Sequence, residues 1–350
     1  MRAKAQRMMP PMEYVRLEDE ASGLDGVIAI HSTARGPAAG GCRFWTYSDP
    51  KAAAADAFRL AEGMSYKNAM AGLPFGGGKA VLRRPTGSFD RRALFEAFGR
   101  AIEKLDGRYI TAEDVGTSVS DMENVAKATR YVAGKTAHYG MAGGDPSPWT
   151  ALGVLEAMKA AVKTRYGSTL SGATVAILGV GNVGGRLADL LTEEGARLYI
   201  ADIDPLSCAR LSERTGAKTV PLHQITSVDA QVFAPCALGG AVTATVGANL
   251  RAGVICGAAN NQLASADVPN MLNERGILYA PDYVVNAGGI INVAAEYLEE
   301  SQEQVHGRVM SIGPRTQLIL EEAKLRGVSP VDVADAMAEQ KMRFPDMATA

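Results

Sequence analysis

The stretch Val175-Ala176-Ile177-Leu178-Gly179-Val180-Gly181-Asn182-Val183-Gly184 decides the fold. Val175–Leu178 reads as a short buried strand, and the glycines after it have GxGxxG spacing at the mouth of a helix expected over Asn182–Glu194. A second apolar run, Leu198–Asp202, ends in an acidic residue eighteen positions after Gly184. GxGxxG alone is weak, but strand, glycine turn, helix, strand and Asp in this order form a dinucleotide-binding fingerprint. Gly179 permits the tight turn, Gly181 lets a pyrophosphate approach the backbone, and Gly184 lets the helix lie against its strand. The helix start, including Asn182 and Val183, offers unpaired N–H groups and partial positive charge to phosphates. Asp202 is placed to accept from the adenosine ribose hydroxyls. Ile203 and Asp204 follow it, with no Arg or Lys, so a 2′-phosphate meets repulsion and NAD is expected over NADP.

Outward from this motif, strand and helix patterns alternate. Helix Pro205–Thr215, strand Ala230–Ala234, strand Val254–Ala258, helix Ala264–Arg275 and strand Ile277–Ala280 follow. Continuous apolar strands separated by helices predict a parallel sheet covered on both faces. One long helix is expected from Asn286 to about Gln304, then two more. Upstream, helix Thr150–Tyr166 follows a Gly- and Pro-rich hinge, Gly143–Pro148. The expected division is an N-terminal α/β domain over 1–139 and a Rossmann-type NAD-binding domain over 140–325.

Composition narrows the function. With 36 basic and 38 acidic residues the net charge is −2, which gives no electrostatic case for nucleic acid or an anionic membrane. No apolar run reaches the ~18 residues of a membrane helix. The basic start, Met1–Arg7, is followed by Pro10, Pro11 and Glu13 instead of a signal-peptide core. Cys42, Cys208, Cys236 and Cys256 are scattered, and the four histidines show no ligand spacing, so no metal is expected and a reducing, cytoplasmic setting is the default. The chemistry must come from Lys, Asp, a bound cofactor, or all three.

The N-terminal third supplies those residues. Asp49 reads as an N-cap with Pro50 at the first helical position, and Ala57, Leu60, Ala61 and Met64 form an apolar stripe. Lys67 continues that stripe, where a lysine is out of place. Twelve residues on, Lys79 follows Gly76-Gly77-Gly78, and three glycines in a row suggest close approach to the main chain. Two neighbouring, partly desolvated ammonium groups would lower the pKa of one and make it a base, leaving the other to hold an anion. Asp114, just past an expected strand at Arg108–Thr111, is a candidate proton carrier. Gly36–Gly41 reads as a loop without bulky side chains. The glutamates at 296, 299, 300 and 303 read as a solvated helix face, and His31 and Cys236 as packing or hydrogen-bonding residues.

These residues carry a resemblance. Gly36–Gly41, Gly63–Lys67, Leu73–Lys79, Thr111–Thr117, Ala234–Ala237, Gly257–Gln262 and Ala280–Gly289 match, in order and spacing, the glutamate/leucine/phenylalanine/valine dehydrogenase family. The chain looks closest to its leucine dehydrogenase branch, over about residues 25 to 300. The resemblance implies two domains with a cleft between them, the last residues, 326–350, returning to the first domain, and a homo-oligomer. It implies oxidative deamination of an L-amino acid to a 2-oxo acid, ammonia and NADH.

By the same resemblance, Lys67 binds the substrate carboxylate, Lys79 activates water, and Asp114 shuttles protons to and from the amino group. Thr150 and Asn260 touch the nicotinamide or substrate, and Ala237 lines the cofactor path. Ala39, Ala112, Ile290 and Val293 line the side-chain pocket. All four are apolar, which excludes a charged substrate side chain such as glutamate's. Ala112 and β-branched Ile290 are expected to narrow the pocket towards leucine, valine or isoleucine, against an aromatic-specific alternative. A catalytically silent NAD-binding protein would need a broken lysine pair or a missing Asp, and neither is broken here. Arg35, where an apolar residue is usual, and Cys42, in place of Thr, depart from the pattern.

Overall fold

The computed structural model describes residues 13–136 and 139–344. The basic start and His138 lie outside them. The chain divides into two compact units, with the boundary between Gly144 and Asp145. The first runs up to Gly144 and includes Val293–Glu300 and the chain from Ala338 on; the second holds Asp145–Asn292 and Ser301–Met337.

The first unit contains β1 (Glu13–Asp19), β2 (Leu24–Ser32), β3 (Ala38–Ala39), β4 (Cys42–Trp45), α1 (Pro50–Ala71), β5 (Gly76–Arg83), α2 (Arg91–Glu103), β6 (Tyr109–Ile110) and α3 (Val119–Ala126). Its sheet runs β1-β2-β5-β3-β6, with β4 also paired to β5. β1 and β2 are antiparallel to their neighbours, whereas β3 and β4 run parallel to β5. Asp49 caps α1 by accepting from the Ala52 N–H, Pro50 opens the helix, and Gly72 ends it in the left-handed region. Its buried face is built from Ala53, Ala57 and Ala61, which pack on Val27, Ala29 and Val81. The small side chains bring the helix close to the sheet.

The three glycines of β5 explain that closeness. A Cβ on Gly77 would lie 2.1 Å from the Ser65 backbone nitrogen of α1, and one on Gly78 would lie 2.8 Å from the Tyr109 ring. A Cβ on Gly76 would lie 1.8 Å from the Ser32 carbonyl oxygen. What approaches the main chain here is the protein itself. Gly36–Gly41, read as a loop, contains the short strand β3 between β5 and β6.

The second unit holds α4 (Ser147–Tyr166), β7 (Thr174–Leu178), α5 (Asn182–Glu193), β8 (Arg197–Ala201), α6 (Pro205–Thr215), β9 (Lys218–Thr219), β10 (Val232–Pro235), α7 (Ala244–Asn249), β11 (Val254–Ile255), α8 (Val268–Glu274), β12 (Leu278–Tyr279) and α9 (Asp282–Val285). Its sheet is parallel throughout, in the order β12-β11-β10-β7-β8-β9. This two-unit α/β architecture agrees with the sequence reading. α8 starts four residues later than the expected helix, because Pro269 sits at its N-terminus.

The long helix expected from Asn286 to Gln304 is two. α10 (Gly288–Tyr297) ends where Glu299 adopts φ 56°, and α11 (Gln302–Met310) restarts from Ser301, whose hydroxyl and Gln304 form a capping box. α12 (Ile312–Arg326) and α13 (Pro330–Arg343) are the last helices among the described residues. The acidic run is therefore not one solvated face: the Glu296 carboxylate accepts from the Gly134 and Lys135 N–H groups at 2.9 and 3.0 Å.

Two glycines give opposite stability outcomes. Gly77→Ala forces a Cβ into the α1 backbone and should cost at least about 3 kcal/mol. Gly307 is exposed inside α11, with open space where a Cβ would stand. Gly307→Ala should stabilise by roughly 0.5–1 kcal/mol, because glycine loses more backbone freedom in a helix. Denaturant unfolding of both variants checks the pair; a tolerated Gly77→Ala would contradict the packing of α1 on β5.

Candidate active site

Lys79 follows the glycines on β5 and is only 4% exposed. A buried ammonium needs a partner, and Asp114 Oδ2 lies 2.8 Å from its Nζ. The two residues are far apart in sequence, so the backbone must bring Asp114 in. Residues 111–117 run beside β4: the N–H groups of Cys42 and Phe44 donate to the carbonyls of Ala112 and Val115. The Thr117 hydroxyl accepts from the Asp114 N–H at 2.9 Å and donates to the Cys42 carbonyl at 3.1 Å. Gly116, at φ 85°, lets this turn close against Phe44, since a Cβ there would lie 1.9 Å from the Phe44 carbonyl oxygen.

Arg43 joins the pair, and the sequence reading did not single it out. Its Nε donates to the same Asp114 Oδ2 at 3.1 Å, and its terminal NH1 donates to Asp56 Oδ2 at 2.9 Å. Tyr47 donates to that Asp56 oxygen at 2.7 Å, and Arg59 reaches the other oxygen at 2.7 Å. The signal was local alternation: Cys42 and Phe44 are buried, so Arg43 projects from the opposite face of β4. Burial by itself pushes the Asp114 carboxyl up. Lys79, then Arg43 and the Val115 N–H, outweigh it and hold the carboxyl below its ordinary value. Burial raises the neighbouring Cys42 thiol well above its usual range, which leaves it a neutral packing group.

Lys67 lies on α1 and is half-buried. Its neighbour Asn68 is fully buried and donates to the carbonyls of Ala39 and Gly76 at 3.3 and 2.6 Å, tying this turn of α1 to β3 and β5. Ala39 and Ala112 are buried in the same unit, at the ends of β3 and beyond β6. Ile290 and Val293 are half-buried on α10, while Ile291, Ala294 and Ala295 are buried, so the two share its more open face. His31 is buried and hydrogen-bonds Ser65 at 2.8 Å. Arg35 donates to the carbonyls of Leu73 and Lys341, which fixes the loop before β3 to α13. A separate cavity of about 700 Å³ in this unit is lined by Arg130, Lys135, Glu296 and Tyr297 among others, with none of the candidate residues on its wall.

In the second unit the glycine turn has the expected geometry. Gly179 has φ 95°, and a Cβ there would meet Ala237, while one on Gly184 would lie 2.0 Å from the Gly179 carbonyl oxygen. Gly181 caps α5 with no side-chain hydrogen bond and faces open space. Asn182 and Val183 open the helix behind it. A cleft of about 400 Å³ lined by Val180, Gly181, Asn182, Arg186, Ser207 and Arg210 adjoins this turn. The open helix start fits a dinucleotide's phosphates. Asp202 accepts from the Val180 and Asp204 N–H groups at 2.7 and 2.9 Å, one on each oxygen, and so ties the turn to the end of β8. Asp204 is chiefly the cap of α6, bonded to Leu206, Ser207 and its hydroxyl. Thr150 bonds back to the Pro146 carbonyl on α4, and Asn260 accepts from Asn286 at 2.9 Å.

A family model described as the dimerisation domain of Glu/Leu/Phe/Val dehydrogenases matches residues 10–131, and the model of the glutamate/leucine/phenylalanine/valine dehydrogenases matches 145–208 and 204–341. The chain belongs to this dehydrogenase family. It is 46% identical to a leucine dehydrogenase of Bacillus subtilis over 340 residues, covering 96% of this chain and 93% of that one. A valine dehydrogenase of Streptomyces albus is also 46% identical, over 94% of this chain and 92% of its own. A solved L-tryptophan dehydrogenase from Nostoc punctiforme superposes with a TM-score of 0.84 at 38% identity, covering 95% of each chain.

In this dehydrogenase the Lys79–Asp114 pair also has a stability signature. Because the folded carboxyl is held low, its contribution is present above the ordinary pKa of about 4 and is lost as pH falls through the lower folded value. Asp114→Asn should cost on the order of 3 kcal/mol at pH 7, by stranding Lys79. The gap to the parent should shrink as pH falls below about 4. Urea unfolding at both pH values measures it, and a gap independent of pH would contradict the ion pair.

Proposed function

We propose that the chain catalyses the NAD-dependent oxidative deamination of a branched-chain aliphatic L-amino acid to its 2-oxo acid and ammonia, and the reverse reductive amination. The observation that carries this reading is the buried Lys79–Asp114 pair at 2.8 Å, in a chain 46% identical to leucine and valine dehydrogenases. Lys67 holds the substrate α-carboxylate. Lys79, in its neutral form, takes a proton from the water that adds to the substrate iminium carbon. Asp114 accepts and returns protons of the amino group, so that ammonia leaves as the carbonyl forms. Amino acid, water and NAD are consumed; 2-oxo acid, ammonium, NADH and one proton are released.

Bound NAD supplies the hydride acceptor. Gly179, Gly181, Asn182, Val183 and Gly184 would hold its pyrophosphate, Asp202 its adenosine ribose, and Thr150, Ala237 and Asn260 its nicotinamide side. Apolar Ala39, Ala112, Ile290 and Val293 support an aliphatic substrate side chain, since an unpaired charge against them is too costly. The free cysteines support a cytoplasmic setting. No helix among the described residues is long and apolar enough to cross a membrane, and the dimerisation-domain match supports a homo-oligomer.

NADH formation across a panel of L-amino acids tests the reading. Leucine, valine and isoleucine should all turn over, with at least ~tenfold preference for NAD over NADP, about 1.4 kcal/mol. Lys79→Ala should lower kcat by a factor on the order of 10²–10⁴, whereas Lys67→Ala should act mainly on KM. A clear preference for phenylalanine or tryptophan over every branched aliphatic substrate would refute the substrate class and leave the reaction intact.

A further inference from the structure

A base must be neutral when it acts, yet the nearest partner of Lys79 is a carboxylate, which favours the ammonium form. Sequence reasoning looked to a second lysine for the opposing charge. The structure adds a guanidinium. Arg43 Nε and Lys79 Nζ bind one oxygen, Asp114 Oδ2, at 3.1 and 2.8 Å, so the two nitrogens are at most about 6 Å apart. Arginine does not lose its proton in a protein, so this charge is permanent.

We propose that Arg43 is a positioning residue that frees Lys79 to act as the base, by sharing the Asp114 oxygen that holds the lysine ammonium and so weakening that hold. The proposal rests on reading Lys79 as the base. Arg43 is itself held in place: Asp56 takes its other nitrogen, and Tyr47 and Arg59 secure Asp56. The fork therefore bridges two carboxylates, and it cannot swing to Asp114 alone without breaking the Asp56 contact. Asp114 holds the lysine directly, Arg43 shares that carboxylate, and the Cys42 thiol lies beside it, while the Tyr109 hydroxyl on β6 donates to the Gly40 carbonyl. α1, packed on β5, carries Asp56, which binds Arg43, Arg59, which binds Asp56, and half-buried Lys67. Among these, Arg43 and Lys79 are the two cations that share one carboxylate oxygen. The fixed charge of Arg43 thus stands within about 6 Å of the nitrogen assigned as the base.

The test is the pH dependence of kcat for oxidative deamination with the full-length enzyme and saturating NAD. Arg43→Met removes the charge, so the ascending limb should move up by about one pH unit and kcat at a fixed pH on that limb should fall roughly tenfold. KM for the amino acid should stay within about twofold, because the carboxylate-binding Lys67 is untouched. Arg43→Lys keeps the charge and should leave the limb within a few tenths of a unit of the parent, even where kcat drops. An unmoved limb in Arg43→Met, or an equal shift in Arg43→Lys, overturns the proposal and leaves Arg43 a structural strut. If Arg43→Met does not fold, as judged by thermal melting, Asp56→Asn decides. Loss of that negative charge leaves the guanidinium wholly to Asp114 and should move the limb down; an unmoved or raised limb overturns the proposal. Lys79→Ala is run beside them. Should it retain turnover, the base assignment itself fails; should it be inactive while Arg43→Met has the parental limb, only the role of Arg43 fails.

Discussion

The first unit is organised by one steric constraint: a strand with no side chains for three residues. Gly76, Gly77 and Gly78 let the α1 backbone, the Ser32 carbonyl and the Tyr109 ring approach to distances that any Cβ would forbid. Alanines on the buried face of α1 extend the same closeness along the helix. The consequence is chemical as well as structural. Lys79 comes directly after the glycines and is itself buried, so its ammonium has to find a charge partner inside the protein. Asn68 fastens α1 to β3 and β5 one residue after Lys67. The catalytic candidates of this unit thus sit on backbone that packing has already fixed.

Enclosure then sets the electrostatics. A buried lysine–aspartate pair alone would be inert, each partner stabilising the charged form of the other. Here the carboxylate is shared. One oxygen of Asp114 takes both Lys79 and Arg43, and Asp56 takes the rest of the guanidinium. The charges alternate along this chain, and Arg43 is the member that cannot titrate. A network of this kind is satisfied as a whole, which allows the proton on one member to move without stranding the others.

How much of this was legible in the sequence follows from range. The elements of the cofactor-binding unit were readable in order, because strand, glycine turn, helix and second strand are contiguous and each is shaped by local sequence. Lys79 and Asp114 stood out because charge beside apolar runs is conspicuous, and the structure pairs them. Arg43 did not, since the alternation along β4 marks only an outward-facing residue, and its partners lie 13 and 71 residues away. The same holds for Glu296, whose carboxylate caps two N–H groups of a distant segment. The break after α10 was hidden for another reason: the left-handed position is occupied by Glu299, not by glycine, and only the Ser301 capping box marks the restart. Close approach was read correctly from Gly76–Gly78, while the identity of the approaching atoms needed the three-dimensional fold.

Glycine serves two opposite ends in this one chain. In β5 it is an admission of neighbouring protein: the volume a side chain would take is already filled. At the start of α5, Gly179 and Gly184 do the same for Ala237 and for the turn's own backbone, yet Gly181 between them faces nothing within 4 Å. A side chain would be tolerated there by the protein alone, so protein packing does not account for the glycine. The helix terminus it opens carries no side-chain cap, the kind of end that favours an anion. Glycines that packing requires are thereby separated from Gly181, which packing does not require, and the distinction comes from the space around each residue and not from the motif.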